Sequence, residues 1–515
     1  MTLPYIYPTV SHMLANAAER HPQGEALVCG PERLSYAEYR DAVGAFATEL
    51  ADLAGQRVAL LLGNSIDLVV AILAVQTAGA VVVPLNPLTT AHELGPILAD
   101  AKPAMLLYCA EAAAIALPLA AKHGIGRTLA IGAGARRLAA GRGAMPKLPD
   151  PDTLSTLQYT GGTTGQAKGV ELTHRALAVN VSQREGLLPT RADCERVLAI
   201  TPLFHVYATA MCLYLAVYCR GCLVILPRYH PRLVLDAIEA ERITLFAGSP
   251  TIFNGLLGFD GFAATDFSSL RMCFSGASAL SPELLRRWEA ATGAPVCEGF
   301  GQTETGPVLA FNPFEGERRR GSVGIAVPGT LLRIVDAATG TNILPVGEIG
   351  EVCAKGPALM RGYRNLMEQT NETLRDGWLH TGDIGWLDAD GYLTICDRKK
   401  DMVIVSGFNV YPREVEDALF LHKAVAEAAV IGVPHVHRGE VLHAYIVFRP
   451  GETASDEELT AHLVGLLAAY KVPRSFINVP NLPKTVVGKI DKRSLRANRT
   501  SLGPSENFSS DTNRL

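Results

Sequence analysis

A chain of 515 residues exceeds what one hydrophobic core ordinarily supports, so two or more domains are expected. With 48% hydrophobic residues and a formal net charge of -4, the composition is that of an ordinary globular protein, which excludes a disordered chain or one with a basic field for nucleic acid. The ten cysteines are scattered, a poor match to a disulfide framework in so long a chain, and are read as buried small residues in a reducing cytoplasm.

The opening Met1-Thr-Leu-Pro-Tyr-Ile-Tyr-Pro has neither a basic nor an apolar signal region. Residues 58–83 are apolar but interrupted by Asn64, Asp67 and Gln76, and residues 207–226 carry Arg220, so buried helix-then-strand elements are expected rather than membrane spans. Val58-Ala-Leu-Leu-Leu, a helix around Ile66 to Ala78 and Val81-Val-Val-Pro-Leu have the rhythm of a βαβ unit. From 132 to 152 the chain turns rich in Gly, Ala, Arg and Pro, the composition of a surface connection. The βαβ rhythm returns in Leu223-Val-Ile-Leu, a helix near Arg232 to Glu241, and Thr244-Leu-Phe-Ala-Gly; Met272-Cys-Phe-Ser-Gly reads as another strand. A doubly wound α/β body follows. Past Gly329, alternating runs such as Leu331-Leu-Arg-Ile-Val-Asp and Gly350-Glu-Val-Cys-Ala-Lys-Gly predict an antiparallel β-subdomain. Asp397-Arg-Lys-Lys-Asp reads as a charged, exposed link. Beyond it come a helix at Pro412 to Leu421 and strands near Ala428 to Val433 and Ala444 to Phe448. The expected domains are therefore 1–397, a small mobile α+β domain at 398–498, and a polar tail at 499–515.

The strongest local signal is Tyr159-Thr-Gly-Gly-Thr-Thr-Gly-Gln-Ala-Lys-Gly. Its glycines let backbone N–H groups approach phosphate oxygens, its threonine hydroxyls add neutral donors, and Lys168 adds positive charge. It is not a Walker A loop, because Ala167 precedes and Gly169 follows the lysine. Cys219-Arg-Gly-Cys222 lacks the second pair of a zinc ribbon and is read as structural.

The glycine-threonine loop resembles the signature loop of the adenylate-forming superfamily, and with Leu172-Thr-His-Arg it is similar in particular to bacterial long-chain fatty-acyl-CoA ligases. Most members carry Ser at the position of Gly161 and Pro at that of Ala167; both departures are typical of the fatty-acid branch. Further motifs follow in the family's order: Pro202-Leu-Phe-His-Val-Tyr, Ser275-Gly-Ala-Ser, Gly299-Phe-Gly-Gln-Thr-Glu, Trp378-Leu-His-Thr-Gly-Asp, Asp397-Arg-Lys-Lys-Asp, Ser406-Gly-Phe-Asn-Val-Tyr-Pro and Pro483-Lys-Thr-Val-Val-Gly-Lys-Ile. Together they span nearly the whole chain.

The resemblance implies an AMP-forming acyl-CoA synthetase using ATP, Mg2+ and coenzyme A, with a small-molecule acid as substrate and no nucleic-acid partner. The acid it implies is a medium- or long-chain fatty acid, with an aryl or dicarboxylic acid as alternative. A carrier-protein thiol is the alternative acceptor, although no inserted segment typical of such enzymes is visible. By the same resemblance the phosphate loop is Thr160, Gly161, Gly162, Thr163, Thr164, Gly165 and Lys168. The adenine site is Gly276, Ala277, Glu298, Gly299 and Phe300, followed by Gly301 and Gln302, with Phe300 where relatives usually have Tyr. Thr303 is implied to contact the α-phosphate, Glu304 to hold magnesium, and Asp383 and Arg398 to reach the ribose. His205, Tyr207 and Gly276 border the acid, although a lone histidine on an apolar segment is also an ordinary core residue. The apolar stretch from Ala208 to Val217 suits a hydrocarbon pocket and a buried helix equally. Lys489 is implied as the lysine of the adenylation step, Lys400 as a hinge where several relatives have Asp, and Gly407 as part of the coenzyme A tunnel. A cytoplasmic location is expected; peripheral membrane contact and a homodimer are left open.

Overall fold

The structure, a computed structural model, describes residues 3–160, 167–276, 280–406, 408–484 and 490–501. Two compact units divide it: one runs to Thr381 and includes Trp386–Thr394, the other comprises Gly382–Gly385 and the chain from Ile395 onward.

Two sheets organise the first unit. The nine-stranded one has the spatial order Ile325–Ala326, Val308–Phe311, Val296–Gly301, Met272–Ser275, Leu245–Gly248, Arg196–Ala199, Cys222–Ile225, Glu25–Cys29, Glu32–Ser35. Its central strands are parallel, and antiparallel strands close both edges. The seven-stranded sheet has the order Gly362–Tyr363, Lys168–Thr173, Leu154–Thr160, Val81–Leu85, Arg57–Leu61, Met105–Cys109, Arg127–Ile131. Side chains alternate across each strand. Val58 and Leu60 join one core with Val197 and Ala199 of the other sheet, while Ala59 and Leu61 face a second core and Leu198 a third. This is the expected doubly wound body.

Between the two sheets lies the helix Ile66–Thr77, every residue of which is buried. A helix apolar on all sides belongs in such a place. Ser65 caps its N-terminus by accepting from Leu68 N–H at 3.1 Å. Asp67, in its first turn, accepts from the backbone N–H groups of Leu138 at 2.8 Å and Ala139 at 3.1 Å and pairs with Arg137 Nε at 2.6 Å. The segment 132–152 lies at the surface as expected except at Leu138, which belongs to the main core, because a buried carboxylate needs donors and this segment supplies them. Not every cysteine is interior either, since Cys194 is exposed; all ten are free thiols.

The expected β-subdomain is present. Leu331–Val335 pairs antiparallel with Gly350–Lys355, and Leu374–Arg375 with the start of Trp378–Leu387.

The second unit is α+β. Phe408–Val410, Val403–Val405, Gly439–Phe448 and Val425–His435 lie in that order, with Ser475–Asn478 pairing Gly439–Phe448 in parallel. Helices Pro412–Phe420, Asp456–Val464 and Lys492–Ser501 complete it. The two long strands extend well beyond the apolar runs that predicted them, because their hairpin pairs residues as far as His435 with Gly439 and carries Glu427, Pro434 and Glu440 along. No helix among the described residues is long and apolar enough to cross a membrane.

Candidate active site

In open α/β sheets, ligands bind beyond the carboxyl ends of the strands. In the first unit the predicted residues leave the carboxyl ends of neighbouring parallel strands: His205 and Tyr207 after Arg196–Ala199, Gly276 after Met272–Ser275, and Gly299 to Glu304 at and after the end of Val296–Gly301.

The segment bearing His205 is held from elsewhere. Asn64 donates to the carbonyls of Thr201 (3.1 Å) and Leu226 (3.3 Å) and accepts from Leu203 N–H (2.8 Å), while Gln158 donates to Phe204 O (3.1 Å). Sequence reasoning missed this role of Asn64, and the one available signal was a polar residue interrupting an apolar stretch. Nδ1 of His205 accepts from Tyr207 N–H at 3.2 Å, which assigns the ring proton to Nε2. The Tyr207 hydroxyl lies 3.4 Å from Phe274 O and 3.5 Å from Gly248 O. Burial holds its pKa above the ordinary phenol value, so it is a donor at neutral pH. Its ring packs against Gly276, where an added Cβ would lie 2.8 Å from Cε2. The stretch after it is a buried helix that includes a π-helical segment, Thr209–Tyr214, and Tyr214 OH accepts from Gln76 at 2.8 Å.

The strand Val296–Gly301 delivers the next group. Glu298 is buried and accepts from Leu280 N–H at 2.9 Å. Phe300 stands half-buried opposite Ala310. A Cβ on Gly299 would meet the Phe311 ring at 2.4 Å, and one on Gly301 the carbonyl oxygen of Pro307 at 1.8 Å, so close strand contact excludes side chains at both positions. The chain then enters a short 3-10 turn, Thr303–Thr305, with Thr303 buried. Gln302 Nε2 donates to Thr381 O at 2.8 Å. Asn180 donates to Val308 O (2.8 Å) and accepts from Val308 N–H (3.0 Å), securing the exit of this turn.

Glu304 meets a residue that the motifs did not single out. Tyr363 O–H donates to Glu304 Oε1 at 2.8 Å, and Nζ of Lys168 lies 4.8 Å from the centroid of the same ring. Burial and the adjacent carboxylate both raise the Tyr363 pKa, keeping the proton on the phenol. Register brings them together: Gly362–Tyr363 pairs with the strand that Lys168 opens, and Lys168 pairs with Thr160. A lysine, an aromatic ring and a carboxylate thus stand together beside the strands Leu154–Thr160 and Lys168–Thr173. Gly161, Gly162, Thr163, Thr164, Gly165, Ala277, Gly407 and Lys489 lie outside the described residues.

In the second unit, Asp383 is buried and pairs with Arg398 Nε at 3.3 Å, and Lys399 N–H donates to Gly382 O at 2.9 Å. Lys400 is exposed. Asp397 corrects the reading of a wholly exposed link: it is buried, and its carboxylate accepts from Arg398 N–H (2.7 Å) and Arg413 N–H (2.9 Å). The latter bond satisfies an otherwise orphan donor in the first turn of Pro412–Phe420.

The family model for AMP-binding enzymes matches residues 14–364, and that for the AMP-binding enzyme C-terminal domain matches 414–489. This chain belongs to the AMP-binding enzyme family. Among curated relatives of this AMP-binding enzyme, a long-chain-fatty-acid–CoA ligase from Bacillus subtilis is 35% identical over 97% of this chain and 96% of the relative. A feruloyl-CoA synthase from an Amycolatopsis species is 37% identical over 93% and 96%. The crystal structure of ATP-bound MatB from Rhodopseudomonas palustris superposes with a TM-score of 0.89 at 33% identity, covering 96% of this chain and 99% of that one. The AMP-binding enzyme described here is an acyl-CoA ligase of the adenylate-forming superfamily.

Proposed function

We propose that this ligase activates a medium- or long-chain fatty acid with ATP to an acyl-adenylate and pyrophosphate, then transfers the acyl group to the thiol of coenzyme A with release of AMP. The observation that carries the reading is the grouping of Tyr207 against Gly276 with the Thr303–Glu304 turn at the carboxyl ends of adjacent parallel strands. An acid held at the first group would meet a nucleotide phosphate at the second. The aliphatic choice is supported by the names of relatives such as that from Bacillus subtilis and by the apolar helix after His205. An aryl acid is the second reading, favoured by the feruloyl-CoA synthase relative and by the polar Gln76–Tyr214 hydrogen bond that joins the helix Ile66–Thr77 to the apolar helix.

A carboxylate is a poor electrophile, and its attack on the α-phosphorus brings two anions together. Catalysis therefore depends on positioned cations and donors. Thr303 is assigned to the α-phosphate. His205, with its proton on Nε2, and Tyr207, kept protonated by burial, are donors suited to orienting the acid. Lys489 is assigned to bridge the attacking carboxylate and the α-phosphate in the first half-reaction and to withdraw for the second, when the thiol displaces AMP. Asp383 and Arg398 are assigned to the ribose.

Glu304 offers one hard carboxylate oriented by Tyr363, and no cluster of three or more acidic, histidine or cysteine ligands exists among the described residues. That donor set fits magnesium, which takes one or two carboxylates and completes its shell with water and phosphate oxygens. Bound there, the ion would neutralise triphosphate charge. A cytoplasmic location is proposed with this activity, on the ten free thiols.

The test is acid-dependent pyrophosphate and AMP release across aliphatic chain lengths and aryl acids, with and without coenzyme A. Preference for medium or long chains with coenzyme A-dependent turnover is expected; no AMP with any acid would refute the reading.

A further inference from the structure

The chain around Lys489 is anchored on both sides within the second unit. Upstream, Lys484 Nζ pairs with Glu427 Oε1 at 2.6 Å, on the strand Val425–His435. A β-bridge joins Lys484 to Ile490, and Asp491 N–H donates to Pro483 O at 2.8 Å, so the two limbs flanking 485–489 are tied together at their base. Downstream, the Asp491 carboxylate accepts from Arg493 N–H (3.1 Å), Ser494 N–H (3.2 Å) and Ser494 O–H (2.6 Å), which caps the helix Lys492–Ser501 where it starts.

That helix is then pinned at successive turns. Lys492 Nζ pairs with Glu416 Oε1 at 2.7 Å, and both side chains are largely buried. Glu416 in turn accepts from Val430 N–H at 2.7 Å, linking the helix Pro412–Phe420, the long strand and the terminal helix in one network. One turn on, Leu495 enters an apolar cluster with Ala429 and Ile431, and Arg496 Nη2 donates to Asp401 Oδ1 at 2.9 Å. Asp401 directly follows Lys400, and its N–H closes a turn onto Arg398 O at 2.9 Å. The segment assigned as hinge and the base of the segment assigned to carry the adenylation lysine therefore share one rigid frame.

We propose that the Asp401–Arg496 ion pair, backed by Glu416–Lys492, is a positioning device for Lys489, registering the two limbs that flank 485–489 to the segment assigned as hinge for the adenylation half-reaction. The inference rests on the assignment of Lys489 to adenylation. The physical reason is that a lysine arm has large rotamer entropy and must act from a fixed base, and a displacement of about 1 Å at a reacting group can cost up to about a hundredfold in rate. Arg496 is partly exposed, and a pair of that kind contributes little to folding. Its loss should therefore register in geometry rather than in stability.

The test uses the full chain and measures the two half-reactions separately: ATP–pyrophosphate exchange for adenylation, and thioester formation from supplied acyl-adenylate. Arg496→Gln is expected to lower the exchange kcat about tenfold with KM for ATP unchanged, and to leave the thioester step within about twofold. Arg496→Lys should recover most of the loss. Lys471→Gln, which breaks the 2.7 Å pair with Glu414 in the same unit, should change neither step. Lys489→Ala is run alongside. If it abolishes exchange while Arg496→Gln does not change it, or if Arg496→Gln lowers both steps equally, the positioning role is overturned and the assignment of Lys489 stands. If Lys489→Ala leaves exchange intact, the assignment itself falls and the positioning role with it.

Discussion

The phenol of Tyr363 is bonded to the carboxylate of Glu304 at 2.8 Å, across a separation in sequence that no motif spans. The bond fixes one carboxylate oxygen and leaves the other lone pairs for the magnesium ion proposed above. Its ring simultaneously seats Lys168. Two groups assigned to the triphosphate are thus set relative to each other by one side chain.

Replacing Tyr363 by Phe keeps the ring and removes the hydrogen bond. The expected result is a rise of about tenfold in KM for magnesium-ATP, the scale of a lost hydrogen bond to a charged group. Tyr363→Ala, which also removes the seat of Lys168, should cost more. Initial rates against ATP at several magnesium concentrations decide this, and a phenylalanine variant equal to the parent would show that the bond is idle.

The pairing of buried Asp383 with the exposed Arg398 leads to a prediction about the sugar. Asp383→Ala should raise KM for ATP by about thirtyfold, since hydrogen bonds to a carboxylate are worth about 1.5–3 kcal/mol each. The parent should discriminate against 2′-deoxy-ATP and the variant should not. Equal discrimination by both proteins would place the ribose contact elsewhere.

Gly301 is expected to be intolerant for reasons of space alone. An alanine methyl would sit 1.8 Å from the Pro307 carbonyl oxygen, a backbone atom with no rotamer to yield, and the overpacking should cost about 3 kcal/mol. Gly63→Ala is the contrast, because nothing lies within 4 Å of its added Cβ. Denaturant midpoints should fall for the first variant only.

His174 supplies a pH dependence. It is fully buried with neither ring nitrogen bonded, and burial, with a smaller contribution from His12, lowers its pKa from 6.5 to about 4. Because the folded pKa is depressed, the unfolded chain binds the proton more readily. The associated stability is therefore intact above the unfolded pKa and is lost as pH falls towards 4. At pH 5 the loss is about 2 kcal/mol. Denaturation at pH 7 and pH 5 should show a steeper decline for the parent than for His174→Leu; equal slopes would assign the acid sensitivity to other groups.

Much of the proposed site is legible in the sequence. The glycine-threonine loop, the Gly-Gln-Thr-Glu motif and the terminal Gly-Lys-Ile are each contiguous, so each is read from a few neighbouring residues. Strands such as Arg57–Leu61 and Val81–Leu85 were equally plain, since a strand buried on both faces is a continuous apolar run.

Partners that meet through the fold were not legible. Asn64 and Asp67 read only as interruptions in an apolar stretch, Arg137 and Leu138 as part of a loop, and Asp397 as an exposed charge. Asn64, Asp67 and Asp397 became buried hydrogen-bonding centres, and Arg137 and Leu138 donors to Asp67, once sheet register and helix packing had chosen their neighbours. Family membership and the alternation of strands and helices follow from short stretches of residues, because periodicity and turn chemistry act over a few positions. Only the tertiary structure decided that Tyr363 would hold Glu304 and that Arg496 would hold Asp401, because a hydrogen bond's reach is set in space and its separation along the chain leaves no local pattern.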